Sequence, residues 1–221
     1  MSRMVEKVTA FITRPSDEGH DLLLFQHPNA GVQIPAGTVE EGETPEAAVL
    51  REAVEETGLA PLTIRRALGC TEQQLPEGQR AIGRPTKVYA RPDLTSFDWA
   101  YLRTGIWVTV SRRSPGFSQV TYEEYDREPD RQYVTMAITG WVPDEVLADT
   151  LRRHYYRLEY AGPTEERWTV FADNHTFTLF WASLSALPEI VAPQNEWLEF
   201  LFREAGCSDR WRIGIDDPGS I

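Results

Sequence analysis

The chain has 221 residues, with 34 Asp and Glu against 22 Lys and Arg, a formal net charge of −12. That length allows one large domain or two small ones and is ample for a core that needs neither disulfides nor structural metals. The 41% apolar and 25% charged fractions exclude wholesale disorder, and the acidity argues against a nucleic-acid polymer or an anionic membrane surface as partner, because both would repel the protein.

Cys70 and Cys207 have no spacing that builds a zinc motif or a disulfide framework and read as free thiols of a reducing compartment. The opening MSRMVEKVTAFITR lacks the unbroken apolar stretch of a signal peptide. The most apolar window, residues 177–192, is interrupted by Pro188 and Glu189 and is too short to span a bilayer. A soluble, cytoplasmic protein is the expectation.

In chain order, Val5 to Thr13 and Leu22-Leu23-Leu24-Phe25, separated by a Pro-Ser-Asp-Glu-Gly turn, predict a hairpin. Residues 27–37, with Pro28, Asn29, Gly31, Pro35 and Gly37, predict a loop with one short extended piece. A helix follows over 44–58: Thr44 is an N-cap residue, Pro45 suits the first helical position and Gly58 suits the C-terminus. Leu62 to Cys70 reads as a strand, 75–86 as loop, and 87–90 and 105–110 as further strands. Residues 111–130 are polar and show no period, while Arg131 to Val142 alternates as a strand.

Pro143-Asp144-Glu145 then predicts a helix whose apolar stripe is Leu147, Leu151, His154/Tyr155 and Leu158. Trp168 to Phe171 and Thr176 to Leu184 predict a second hairpin. Pro193 begins a last helix with Trp197, Leu198, Leu201 and Phe202 on one face and Gly206 at its end. No repeat or linker interrupts the pattern, so one domain over 1–206 is expected, with an enlarged middle insertion within about 75–165 and a tail at 207–221. The middle is also the part that escapes the acidic excess: residues 61–140 carry 11 basic and 9 acidic side chains.

Chemistry concentrates on the helix over 44–58. Glu52, Glu55 and Glu56 stand at i, i+3 and i+4, within about a 100° arc of one face, with Ala47, Leu50 and Val54 expected on the face that packs against a sheet. Ala48, one turn before Glu52, leaves room for a ligand. Three like charges this close repel unless something neutralises them. A hard divalent cation does so, as does simple hydration of a solvent-facing acidic face, and the spacing alone leaves both open.

The surrounding residues go further. Gly37-Thr-Val-Glu-Glu-Gly-Glu43 runs into Arg51-Glu52-Ala53-Val54-Glu55-Glu56-Thr57-Gly58-Leu59, a G-x5-E-x7-R-E-A-x-E-E-x-G-L pattern that resembles the signature of the Nudix hydrolases. Seven fixed Gly, Glu and Arg positions at residue frequencies of about 5–7% make a chance match at any one place on the order of 10⁻⁸ to 10⁻⁹. Ala53 is the one departure, a small residue at a packing position. The flanking hairpin and the late segments 177–184, Leu187-Pro188 and 195–198 also resemble that family's elements.

The resemblance implies an α/β fold, an α/β/α sandwich around a mixed β-sheet, and a pyrophosphohydrolase that drives water onto a phosphorus of a nucleoside diphosphate linked to another moiety X. It implies Glu52, Glu55 and Glu56 as carboxylate ligands of Mg²⁺ or Mn²⁺, the Gly37 carbonyl completing the set, Glu43 paired with Arg51, and Arg51 orienting Glu52. The general base is Glu52 or a glutamate on a later loop, with Glu123, Glu124, Glu165 and Glu166 as candidates. A Nudix-like module that binds a nucleotide without turnover is the rival reading. No subgroup marker identifies X. All seven tryptophans follow residue 98. Trp99, Trp107 and Tyr101 could stack on a base, but core packing is the first expectation for them. The insertion serves to cap the substrate pocket, to form a homodimer interface or as surface decoration.

Overall fold

The computed structural model describes residues 3–17, 19–127, 131–172 and 175–204. The predicted Gly206 helix end, Cys207 and the 207–221 tail lie outside the described residues.

The chain opens with β1 (Met4–Ser16) and β2 (Gly19–His27), a hairpin in the register Thr13↔Leu22 to Ser16↔Gly19. Their apolar runs are buried on both faces, as Leu22 to Leu24 at 0% exposure show, which is why the sequence carries a continuous hydrophobic stretch rather than an alternation. The short β3 (Gly31–Gln33) pairs with β2, and β4 (Ala36–Thr38) pairs with β1 at Lys7↔Thr38, Val8↔Gly37 and Thr9↔Ala36. Helix α1 (Pro45–Thr57) follows. Thr44 caps it by accepting from the Ala47 N–H, and the Gly58 N–H closes it onto the Val54 carbonyl.

After β5 (Thr63–Gln74) the chain leaves this sheet and builds a second one from β6 (Gln79–Ile82), β7 (Thr86–Tyr89), β8 (Asp98–Leu102), β9 (Trp107–Ser114), β10 (Phe117–Tyr125), β11 (Val134–Pro143) and β12 (Leu147–Ala148). It returns through β13 (Thr150–Glu159), then β14 (Arg167–Ala172), β15 (His175–Ser183) and α2 (Gln194–Glu204). The first sheet runs β14-β15-β2-β1-β13-β5, with β1 and β13 parallel and the other pairs antiparallel. Helix α1 packs Val49 and Ala53 against Val8, Ala10, Ile12 and Leu158 on one face. Helix α2 packs Leu201 against Phe11, Leu24 and Tyr155 on the other. This is the α/β/α arrangement around a mixed sheet.

The second sheet runs β12-β6-β9-β10-β11-β7-β8 and wraps its apolar face around its own core of Ile82, Val88, Leu102, Val108, Val120, Val142 and Val146. A small cluster of Val5, Leu75, Ala81, Ala148 and Leu151 joins the two sheets.

Several sequence expectations are corrected here. The helix expected after Pro143 is only a single 3-10 turn, Asp144–Val146. Leu151, Tyr155 and Leu158 belong to β13, a central strand whose two covered faces erase the period of two that marks a half-exposed strand. Residues 111–130 hold most of the β9–β10 hairpin, turning at Pro115-Gly116, and the expected loop 75–86 contains β6. On α1 the buried side chains are Ala48, Val49, Ala53, Glu56 and Thr57, while Val54 is 39% exposed. Of the expected 47/50/54 line, Leu50 does pack against the core while Ala47 and Val54 are exposed; the packed face is turned toward the glutamates, and Ala48 fills core space. Trp99, Tyr101 and Trp107 are not core residues: Ala100, Leu102 and Val108 take the inner positions of their strands, which sends the three rings outward at 43–60% exposure.

Candidate active site

The site is assembled where α1 meets β4. Because the packed face of the helix borders its acidic face, Glu52 and Glu56 sit at the edge of the core and reach the β4 backbone. Glu52 Oε1 accepts from the Thr38 N–H at 3.0 Å, and Glu56 Oε2 accepts from the Ala36 N–H at 3.0 Å. Two carboxylates one turn apart thus bracket residue 37.

Gly37 has no steric latitude. A Cβ there would stand 1.9 Å from Glu52 Cδ and 2.2 Å from its Oε1, so only glycine lets that carboxyl lie against the chain. Burial raises the Glu52 pKa, opposed by the Thr38 N–H and by Arg51.

Arg51 organises the acidic groups. Its Nε and Nη2 donate to the two oxygens of Glu43 at 3.0 and 2.9 Å, and Nη2 also donates to the Thr38 carbonyl at 3.0 Å. Its Nη1 lies 3.0 Å from Glu52 Oε1 and 3.2 Å from Glu55 Oε2. The fork geometry of guanidinium makes this possible. The bonds to Glu43 push the Arg51 pKa up, and in return Arg51 holds the Glu43 carboxyl below its ordinary range. Glu55 is the outlying member, more than half exposed and turned onto Arg51.

Residues 5–98 match the NUDIX domain family model. The matched segment, under half of the 221-residue chain, is similar to the Nudix hydrolases. The family consists of hydrolases acting on phosphoric anhydride bonds, and no curated protein matches the chain significantly. The match spans β1 to the start of β8, and so includes both helix α1 and the strand β4 beneath it.

Among the described residues no group of three His, Cys, Asp or Glu side chains converges tightly enough to hold a metal ion. The donor set nonetheless fits a hard divalent cation. It consists of carboxylate oxygens beside a backbone carbonyl, and Mg²⁺ uses one or two carboxylates and completes its shell with water and substrate phosphate.

Of the later glutamates, Glu166 is placed away from this cluster. Glu166 is held by Arg14 Nη2 at 2.8 and 2.6 Å, and Arg14 lies seven residues along β1 from Lys7, about 23 Å at the strand rise. Glu165 adjoins it in sequence. Glu123 and Glu124 stand on β10 of the second sheet, where Glu123 accepts from the Tyr125 hydroxyl at 2.7 Å.

Sequence reasoning missed two cations beside helix α1. Lys7 donates from Nζ to Thr38 Oγ1 at 2.7 Å and makes a long contact to the Gly105 carbonyl at 3.5 Å. Arg153 is its register partner on β13; it donates from Nη1 to the Val8 carbonyl and Thr9 Oγ1, and stacks on Trp197 of α2 at 4.0 Å. Burial lowers the Lys7 pKa to about 8, with Arg153 pushing it further down and Glu52 pulling it up; burial also lowers the Arg153 pKa to about 10. The one available signal was scarcity, since Lys7 is one of only two lysines in the chain.

Proposed function

We propose that the protein is a divalent-metal-dependent pyrophosphohydrolase that cleaves the diphosphate linkage of a nucleoside diphosphate joined to another moiety X. The observation that carries this reading is the placement of Glu52 and Glu56 on either side of Gly37, each anchored through one oxygen to a β4 N–H. Glu52, Glu55, Glu56 and the Gly37 carbonyl would hold Mg²⁺ or Mn²⁺, which when bound polarises phosphate oxygens and lowers the pKa of water.

The chain's own part is positioning. Arg51 fixes Glu52 and Glu43 relative to each other, and the β4 amides prevent the carboxylates from swinging away. A water oxygen forms the new bond to phosphorus. The bridging P–O bond breaks, its electron pair leaves with the departing phosphate, and the water proton passes to a carboxylate. Glu52 is the first choice for that base, because it stands in the box and is held in place by the Thr38 N–H and Arg51.

A substrate panel with Mg²⁺ and Mn²⁺ tests this, covering nucleoside triphosphates, nucleotide sugars, dinucleoside polyphosphates and dinucleotide cofactors. Metal-stimulated turnover of at least one class is expected, and H₂¹⁸O reports which phosphorus is attacked. Saturable nucleotide binding without turnover would instead make the protein a binding module.

A further inference from the structure

Lys7 and Arg153 lie side by side across the parallel β1–β13 pair, both largely withdrawn from water. Among the described residues neither meets a carboxylate at ion-pair distance. The nearby acids are engaged on the other face of the sheet: Glu6 takes His154 and Arg152, and Glu72 takes Arg152. Glu52 is close enough to act on Lys7 but is not ion-paired with it, and two like charges buried together with no ion-paired carboxylate destabilise a fold, so the arrangement needs a reason outside stability.

The donors remaining on the two side chains indicate one. Among the described residues Arg153 uses only Nη1 for hydrogen bonds, which leaves Nε and the Nη2 group of its five N–H donors. The Lys7 ammonium has three donors and makes one short bond, to Thr38. Thr38 is also the residue whose N–H holds Glu52 and whose carbonyl receives Arg51. The cation pair therefore begins one residue from the carboxylate cluster and runs away from it across the sheet, toward Trp197.

The second sheet closes this corner. Its Gly105 carbonyl faces Lys7, and a Cβ at 105 would stand 2.5 Å from Lys7 Nζ and 2.7 Å from Thr38 Oγ1.

We propose that Lys7 and Arg153 form the binding site for the substrate phosphate next to the one attacked at helix α1, so that the diphosphate lies along the row Glu52–Thr38–Lys7–Arg153. This deepens the pyrophosphohydrolase reading and rests on it for the identity of the anion. The pair neutralises the charge that this second phosphate already carries on binding, and it selects substrates with a second phosphate over phosphomonoesters.

The test uses the full chain with imidodiphosphate, a diphosphate whose P–N–P bridge resists hydrolysis, titrated calorimetrically in the presence of Mn²⁺, with Mn²⁺ binding alone followed by electron paramagnetic resonance. Lys7→Met and Arg153→Met are each expected to weaken imidodiphosphate roughly 10–100-fold, the worth of one charge-assisted hydrogen bond, while Mn²⁺ binding is not weakened. With hydrolysable substrate the loss falls on KM, and Lys7→Arg restores most of it. Unchanged imidodiphosphate affinity in a folded Lys7→Met protein overturns the proposal, whatever Arg153→Met does. If wild type turns over no diphosphate yet loses imidodiphosphate affinity in both variants, the anion site stands and the hydrolase reading falls.

Discussion

Substituting Gly37 with alanine tests the site at its tightest point. Residue 37 lies in β4 with ordinary extended backbone, so alanine introduces no backbone strain and the whole effect is steric. Its Cβ would fall 1.9 Å from Glu52 Cδ and 2.4 Å from Cγ, well inside the usual carbon–carbon contact of about 3.5–4.0 Å. The Glu52 side chain must therefore leave, giving up the Thr38 N–H at 3.0 Å and the Arg51 Nη1 contact at 3.0 Å. A hydrogen bond to a charged acceptor is worth about 1.5–3 kcal/mol, partly recovered here because the freed carboxylate gains water. A net loss of about 1–2 kcal/mol follows, which lowers Tm by about 2–8 °C in a chain of this size. Activity suffers more, because a 1 Å misplacement of a catalytic group costs about 100-fold. The assay is thermal unfolding and metal-dependent turnover of Gly37→Ala, Glu52→Ala and the double variant. Since the three nearest atoms to that Cβ all belong to Glu52, Gly37→Ala is expected to cost almost nothing further in stability once Glu52 is alanine. Additive losses of stability in the double variant would show that Gly37 is needed for another reason.

Further outcomes follow from the same geometry. Glu56→Gln keeps an oxygen for the Ala36 N–H, so Tm is expected to hold within a few degrees while turnover falls by about 100-fold or more, with weaker Mn²⁺ binding by paramagnetic resonance; normal turnover would remove Glu56 from the metal set. Thr44→Ala loses the N-cap bond to Ala47 and is expected to cost about 1 kcal/mol, seen as a lower denaturation midpoint without change in the turnover of the folded enzyme. The pH dependence turns on Lys7, which faces the Thr38 hydroxyl from β4, the Gly105 carbonyl from the second sheet, Arg153 from β13 and Glu52 from α1. With its pKa at about 8 in the fold against 10.5 in the open chain, the unfolded state binds the extra proton across that window. This group's burial penalty is therefore complete below about pH 8 and relieved above it, so its stability contribution improves as pH rises. Anion binding moves the other way: kcat/KM, which reports the free enzyme, is expected to fall as pH rises through about 8, and Lys7→Arg is expected to flatten that limb. A falling limb identical in Lys7→Arg would assign it to another group.

The parts legible in the sequence were those written in contiguous residues. Thr44, Pro45 and Gly58 mark the ends of α1 to within a residue because capping is local chemistry, and the box from Gly37 to Leu59 carries its spacing on its face. The helix expected at 145–158 shows the converse. Leu147, Leu151, Tyr155 and Leu158 satisfy a helical period, yet the segment is bound by β1 on one side and β5 on the other, and a strand covered on both faces keeps no alternation to announce itself. Of the second sheet, the strands expected at 87–90, 105–110 and 131–142 stand as β7, β9 and β11, whereas β6, β8, β10 and β12 escaped because the sheet's outer face mixes residues such as Trp99, Tyr101 and Thr121 in an order that reads as neither pattern. The Lys7–Arg153 pair had no local signal at all: the two residues meet only through a strand register that joins positions 146 apart.

That pair bears on how a protein with a net charge of −12 handles phosphates. The box adds three carboxylates and Glu43 to one corner, and Arg51 is committed to holding Glu43, Glu52 and Glu55 together. A divalent cation would cancel part of this field at the attacked phosphate, but its influence weakens over the several ångströms to a second phosphate, where the acidic surface would again repel. Lys7 and Arg153 place two charges where that repulsion would be felt, and their withdrawal from water strengthens the attraction relative to exposed cations. The second sheet then has a physical part in catalysis without supplying a catalytic group. By joining the first sheet through Val5, Leu75, Ala81, Ala148 and Leu151 it brings the Gly105 backbone of the β8–β9 connection against Lys7, and covering that lysine on this side is how the second sheet strengthens its pull on an anion.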